Sequence, residues 1–194
     1  CVGCFGCRFS VVVSDCSQVR SIVAFKHDED KMVVLDEHKV LAATGENADR
    51  VAFTEFIQRN MALDVFRTGI TKSSHATAHM IRRELATALR KGPYNVSLLL
   101  AGYDGLTEES GVANLYWMDY MGTLQRVNYG AHGYAAYFIS ATLDRHWKPG
   151  MTEDEAQILL QQCILVLRTR FLVHQPKFLC RIVSKEGVKS FTVE

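Results

Sequence analysis

Apolar residues recur with helical spacing in the middle of the chain. After Gly45 they return at intervals of three and four residues, at Phe53, Phe56, Ile57 and Met61. The pair Thr68-Gly69 breaks this run. A second helix is predicted to follow it and to end at Gly92-Pro93. Its apolar face is formed by Ala78, Ile81, Leu85, Ala88 and Leu89.

Two further helices are predicted in the last third of the chain. The first covers 133–147, and Pro149-Gly150 separates it from the second. The second opens with Thr152 and Glu155, which have the spacing of a capping box. Its predicted buried face comprises Ala156, Leu159, Leu160, Cys163 and Leu167.

Strands are predicted before, between and after these helix pairs. A turn at 6–8 leads into "SVVVSD", and "IVAF" and "KMVVLDEHKVLAATG" follow, the latter with a turn at "DEHK". The segment "NVSLLLAGYD" is apolar at successive positions, so both of its faces should be covered. "NLYWMDYMG" is a further strand, and "KFLCRIV" and "VKSFTV" form a hairpin. This order predicts an α+β fold in one domain over 1–194, with packed sheets and helices outside them.

The charge balance and the apolar runs of the sequence limit the functions that the chain can have. The 194 residues include 22 Lys and Arg against 21 Asp and Glu, which gives no electrostatic case for binding nucleic acid or an anionic membrane surface. No apolar run reaches the roughly 18 residues that cross a bilayer. The chain begins with Cys1 rather than Met, so we expect preceding residues to have been removed or to lie outside this sequence.

Three of the six cysteines open the chain, at positions 1, 4 and 7. This spacing suggests part of a metal or cluster site, but side chains of a strand alternate between its faces, so Cys4 should point away from Cys1 and Cys7. We therefore favour buried, reduced thiols. His75 and His79 have a spacing that can bind zinc, yet a solvated helix face explains them better. No metal and no cofactor are predicted.

Strings along nearly the whole chain resemble the proteasome β subunit family. They are "VVVSD" at 11–15, "DKM" at 30–32, "ATGENAD" at 43–49, "LLLAGYD" at 98–104, "LYWMDYMG" at 115–122, "AHGYAAY" at 131–137, "LDRHWKPGMTEDEA" and "IVSKEGV". The resemblance implies a four-layer αββα sandwich of the N-terminal-nucleophile hydrolase type, with two antiparallel sheets between helical layers.

The resemblance also implies where the residues of a catalytic site would lie and which of them are replaced in this chain. Active members use an N-terminal threonine, an Asp, a Lys, an oxyanion glycine and an assisting Ser–Asp–Ser group. The threonine position lies two residues before Cys1. Asp15, Lys31 and Gly45 match the Asp, the Lys and the glycine. The assisting group falls at His132, Phe171 and His174, which depart from the pattern.

These departures imply a non-catalytic structural and assembly subunit in the β ring of a 20S core. Its partners would be neighbouring α and β subunits of an α7β7β7α7 barrel in the cytoplasm and nucleus, and the assembled complex would degrade proteins in an ATP- and ubiquitin-dependent way. Exposed aromatic residues in "NLYWMDYMG" are candidate subunit contacts, although packing in the core explains them equally.

Two alternatives remain. Cys1 could serve as the nucleophile of a self-sufficient peptidase or amidase, since a thiolate is a strong nucleophile. In register, however, Cys1 stands at the third position of an active subunit. The opening cysteines could instead form a thiol or metal-binding module.

Overall fold

The computed structural model describes residues 1–6, 8–20, 23–105 and 111–193. Within them, twelve strands and four helices follow one another in the predicted order. The strands are β1 Val2–Phe5, β2 Phe9–Asp15, β3 Gln18–Arg20, β4 Val23–Lys26, β5 Met32–Asp36, β6 Lys39–Gly45, β7 Val96–Asp104, β8 Val112–Met118, β9 Leu124–Arg126, β10 Tyr129–Ala131, β11 Phe178–Ser184 and β12 Gly187–Val193. The helices are α1 Asn47–Thr68, α2 Ser74–Ala88, α3 Tyr134–His146 and α4 Glu153–Arg170.

Two five-stranded antiparallel sheets form the centre of the molecule. The first has the order β10-β1-β2-β11-β12 and the second the order β5-β6-β7-β8-β9, while β3 and β4 form a separate ribbon. The hairpin predicted at the end of the chain is confirmed, since β11 pairs with β12 from Phe178↔Val193 to Ser184↔Gly187. The predicted turn between β5 and β6 is confirmed as well.

The alternating faces of β7 show how the layers are built. Leu98 and Leu100 belong to the core that also contains the α1 residues Phe53 and Ile57. Leu99 lies on the opposite face, in the core between the two sheets. Both faces of β7 are therefore covered, as its continuous apolar sequence predicted.

Helices cover the outer face of each sheet. α1 and α2 contact the second sheet, α4 contacts β2 of the first, and α3 contacts β10 of the same sheet. A third core unites α3, α4 and the first sheet. The predicted αββα sandwich is thus confirmed. No helix in the described part of the chain combines the length and the apolar character that crossing a membrane requires.

The helix ends follow local chemistry where the sequence offers it. Gly69 ends α1 with a φ of +67°, a conformation that glycine adopts easily. The capping box of Thr152 and Glu155 is present at the start of α4. One position in α1 departs from a simple buried face: Phe53 and Ile57 are fully buried, whereas Phe56 is 41% exposed.

The cysteines are mostly core residues. Cys4, Cys16, Cys163 and Cys180 are buried and unpaired, as predicted, and Cys1 is half-buried. Burial raises the pKa of the Cys4, Cys163 and Cys180 thiols to about 12, so they stay protonated and unreactive at neutral pH. Cys7 lies outside the described residues.

Candidate functional site

A cavity of about 1100 Å³ opens where β2 and β6 end. It is where the sequence-predicted site residues meet. Five of the six positions indicated by the resemblance line it, together with Cys1: Asp15, Lys31, Gly45, His132 and Phe171. The sixth, His174, is exposed and is not part of this lining.

Asp15 and Lys31 form an ion pair at one side of the cavity. Asp15 is the last residue of β2, and Lys31 directly precedes β5. Lys31 Nζ donates to Asp15 Oδ2 at 2.7 Å and to the carbonyl oxygen of Ser17 at 2.7 Å. Each side chain is 17% exposed. The pair thus ties the two sheets together, with the lysine charge neutralised by the carboxylate.

Two arginines hold the segment that leads to Lys31, and sequence reasoning missed both. Arg50 of α1 binds Glu29 Oε1 at 2.6 Å, and Arg181 of β11 binds Asp30 Oδ2 at 2.6 Å. The hydrogen bond from Arg50 lowers the pKa of the Glu29 carboxyl below its ordinary value. These contacts join residues 21 and 151 positions apart, so no local pattern could have revealed them.

Gly45 occupies a conformation that other residues rarely adopt. Its φ is +141°, and a Cβ added there would lie 2.1 Å from the carbonyl oxygen of Asn95. The next residue, Glu46, donates its backbone N–H to this same oxygen at 3.0 Å. Glycine is therefore required at this position by the path of the backbone, whether or not its amide meets an oxyanion.

His132, at the position that the resemblance assigns to the first assisting serine, is held inside the protein. Its Nε2 lies 2.9 Å from the carbonyl oxygen of Leu98. Because a carbonyl oxygen only accepts hydrogen bonds, Nε2 carries the proton. The ring of Trp117 stacks on the imidazole at 4.6 Å between centroids. Burial lowers the pKa of His132 to about 4, so the side chain is neutral at physiological pH.

Phe171, at the position that the resemblance assigns to the assisting aspartate, belongs to an aromatic cluster. It directly follows α4, and its backbone N–H donates to the carbonyl oxygen of Leu167. Its ring lies 6.0 Å from that of Tyr134 and 5.7 Å from that of Phe138, measured between centroids. A phenyl ring accepts no proton, so the cavity is apolar at the position where the resemblance implies a carboxylate in active members.

The thiol of Cys1 contacts a hydroxyl group and a carbonyl oxygen. Its Sγ lies 3.3 Å from Ser14 Oγ and 3.8 Å from the carbonyl oxygen of Ala43. Neither a hydroxyl nor a carbonyl oxygen removes a thiol proton at neutral pH. Lys31, the basic side chain in the cavity that the resemblance assigns to catalysis, binds Asp15 and Ser17 instead.

Comparison with known protein families identifies the family of this chain. The profile described as "Proteasome subunit" matches residues 1–183. The chain belongs to the proteasome subunit family. The family predicted from the sequence strings is thereby confirmed, and so is the fold type that it implies.

Several relatives resemble this proteasome-family chain over nearly its whole length. It is 48% identical to "Proteasome subunit beta type-2-A" of Arabidopsis thaliana, over 97% of this chain and 91% of the relative. It is 46% identical to "Proteasome subunit beta type-2" of Dictyostelium discoideum, over 91% and 88% respectively. A protein of Schizosaccharomyces pombe named "Probable proteasome subunit beta type-4" is 35% identical, over 97% and 96%. The strings quoted above resemble the beta-4 (beta type-2) subunit in particular, and the names of the Arabidopsis and Dictyostelium relatives agree with that.

The geometry does not favour a metal site at the opening cysteines of this proteasome-family chain. Cys4 packs in the core beneath α3 and α4, whereas Cys1 packs beside the core between the sheets. Their side chains therefore point to opposite faces of β1, as the alternation predicted. Among the described residues, no group of three or more His, Cys, Asp or Glu could hold a metal ion. His75 and His79 are exposed neighbours with ring centroids 4.4 Å apart.

Most of the aromatic residues proposed as subunit contacts in "NLYWMDYMG" belong to the interior. Tyr116 is buried in the core under α2, and Trp117 is half-buried against His132. For these two residues the structure favours the alternative, packing in the core of this chain. Tyr120 remains exposed.

Proposed function

We propose that this chain is a non-catalytic structural and assembly subunit of the β ring of the 20S proteasome core. It would contribute to ATP- and ubiquitin-dependent protein degradation through the assembled α7β7β7α7 barrel, in the cytoplasm and the nucleus. Family membership over residues 1–183 supports the assembly, and the names of the relatives support a β-type position.

The observation that carries the non-catalytic assignment is the state of the assisting positions. His132 is buried, and its Nε2–H donates a hydrogen bond to the carbonyl oxygen of Leu98. Phe171 offers only an apolar ring, and His174 lies in the solvent-exposed connection after α4. A hydrolase of this type needs groups that move protons near the scissile bond. At these three positions the chain offers neither a hydroxyl group nor a carboxylate.

The remaining site residues have structural roles that suit a scaffold subunit. The Asp15–Lys31 pair joins the last residue of β2 to the start of β5, and Gly45 allows the chain to pass close to Asn95. These features shape the cavity without supplying a nucleophile or a free base.

Native mass spectrometry of core particles that contain a tagged copy of this chain tests the assembly role. We expect the chain to occur in a particle with α-type and β-type subunits, and a monomer or a particle made only of this chain would contradict the proposal. Peptide hydrolysis by the same particles tests the catalytic assignment. Replacing Cys1 by Ala in this chain should leave the hydrolysis rate of every peptide class unchanged.

A peptidase that uses Cys1 is the second candidate, favoured only by the presence of the half-buried Cys1 thiol in the cavity lining. In that case, the Cys1→Ala variant would lose one class of peptide hydrolysis while assembly continued. The two candidates therefore predict different results for the same variant.

A further inference from the structure

Helix α2 carries two exposed histidines that the proposed function does not use. His75 and His79 stand four positions apart, so they lie one turn from each other on the same side of the helix. Their ring centroids are 4.4 Å apart, and the ring planes are tilted by 58°. On the other side of α2, Ala78 and Ile81 are buried in the core against the second sheet. The two imidazoles are therefore carried by a helix that is anchored by its packing.

The separation of the two rings allows both side chains to bind one metal ion. An imidazole nitrogen binds zinc at about 2.0–2.1 Å, so two nitrogens on the same ion lie at most about 4.2 Å apart. Rings whose centroids are 4.4 Å apart can bring one nitrogen each within this distance by rotation about their side-chain bonds. Two histidines at this spacing on a helix also supply zinc ligands in the His-x-x-x-His motif of metalloproteases.

Both imidazoles keep nitrogen atoms that are available to a ligand. Within the described part of the chain, neither ring takes part in a hydrogen bond or an ion pair. Apart from their mutual contact, the ring of His75 lies 6.3 Å from that of Tyr116, measured between centroids. In its neutral form each imidazole has one nitrogen with a free lone pair, which is the atom that binds a metal ion.

The positive side chains next to the pair along the chain are engaged with other groups. Lys72, three residues before His75, forms an ion pair with Asp64. Arg82 Nε donates to a backbone carbonyl oxygen at 3.1 Å, and Arg83 pairs with Glu84 at 3.5 Å. The two carboxylates offset part of the repulsion that these cations would exert on a bound metal ion.

We propose that His75 and His79 form a site for a divalent transition-metal ion of the class that imidazole prefers, Ni²⁺, Cu²⁺ or Zn²⁺, with water at the remaining positions. Only two ligands come from the protein, so the ion exchanges readily and its occupancy follows the concentration of free metal. The helix face is solvated, as the sequence predicted, and solvent access is what an exchangeable ion requires. The site lies outside the cavity, and the proposal is independent of the proposed function.

Calorimetric titration of the full chain with Ni²⁺, prepared without a histidine tag, tests the site. We expect His75→Gln and His79→Gln each to weaken Ni²⁺ binding about a hundredfold, because each removes the gain from binding through two linked ligands. The variant with both substitutions should bind only slightly more weakly than either single variant, because the two histidines act as one site.

His146→Gln is the matched control for these variants. His146 is an exposed histidine in the last turn of α3, and position 142, one turn before it, is a threonine. The control should bind Ni²⁺ as tightly as the unmodified chain. The proposal would be overturned if the unmodified chain bound no Ni²⁺, if the single variants bound it equally well, or if their losses added up in the double variant.

Chemical modification of the same chain then locates the ion. Diethyl pyrocarbonate reacts with free imidazole nitrogens, and mass spectrometry identifies the histidines that it has modified. Saturating Ni²⁺ should protect His75 and His79 together and leave His146 reactive. Protection of neither member of the pair, or equal protection of all three histidines, would overturn the proposal. Failure of the chain to enter core particles would instead overturn the proposed function and leave this result unchanged.

Discussion

The two sides of the cavity differ in how they hold the positions of a catalytic site. On one side the residue types of an active member are present, as the Asp15–Lys31 pair and Gly45. On the other side His132 is buried and hydrogen-bonded to Leu98, and Phe171 lies half-buried in an aromatic cluster. On the first side, charge pairing joins Asp15 to Lys31, and the path of the backbone requires glycine at position 45. The comparison teaches that an Asp, a Lys and a Gly in the right places do not by themselves indicate activity.

The largest effect on stability is expected from Gly45→Ala. This variant tests whether Gly45, on the side of the cavity with the Asp15–Lys31 pair, is required by the fold. The new methyl group would meet the Asn95 carbonyl oxygen at 2.1 Å at a φ of +141°. We expect a loss of about 3 kcal/mol or more in the free energy of unfolding, measured by urea titration. Gly69→Ala is the control, because its φ is also positive but no atom lies within 4 Å of the added Cβ. That variant should lose about 1 kcal/mol, and equal losses would contradict the account.

A pH titration tests whether His132, on the other side of the cavity, is kept neutral by its burial. Its pKa falls from 6.5 in the unfolded chain to about 4 in the fold. Between these pH values the unfolded state therefore binds more protons than the folded state. The stability that depends on a neutral His132 is complete above pH 6.5 and is lost as the pH falls toward 4. The loss should reach about 3 kcal/mol.

The control for this titration is His132→Gln, which can still donate a hydrogen bond to Leu98. Urea unfolding at several pH values between 4 and 7 should show a smaller pH dependence for the variant than for the unmodified chain. Parallel profiles would mean that His132 does not titrate as proposed.

A smaller effect is expected from Lys31→Met, which removes one half of the ion pair. It leaves the Asp15 carboxylate partly buried without its partner, and we expect a loss of about 2 kcal/mol, because the pair is partly exposed. Adding Asp15→Asn removes the uncompensated charge. The double variant should therefore be more stable than Lys31→Met in the same urea titration. If it is less stable, the pair is not the tie between β2 and β5 described above.

The smallest effect is expected from Phe171→Ala in the aromatic cluster. Phe171 is half-buried between Tyr134 and Phe138, so its truncation should cost about 1.5 kcal/mol of unfolding free energy. Phe171→Leu keeps most of the apolar volume and should cost less than half as much. A loss for Phe171→Leu equal to that for Phe171→Ala would show that apolar packing is not its role.

Local patterns in the sequence predicted the elements well, because caps and periodicity act between near neighbours. The capping box at Thr152 and the coverage of both faces of β7 are examples. One contact at the start of α2 was not predictable in this way: Asp104, 30 residues away, accepts hydrogen bonds from the backbone and the hydroxyl of Ser74. Such contacts depend on the tertiary path of the chain.

The candidate site was predicted from a resemblance and not from any spacing between its members. Asp15 and Lys31 have no local signature, and their contact follows from the path of the chain between β2 and β5. The ion pairs that Arg50 and Arg181 form with the segment before Lys31 were missed for the same reason. His174 matched the resemblance in sequence but lies exposed beyond the cavity lining, because the chain after α4 turns it outward.

The most direct test of the central claim is the mass of this chain after core particles react with an electrophilic peptide such as a vinyl sulfone. Such a probe adds covalently to an activated nucleophile. We predict that the catalytic subunits of the same particle gain the mass of the probe, while this chain keeps its original mass. A stoichiometric gain on this chain, located at Cys1 by fragmentation, would contradict the account.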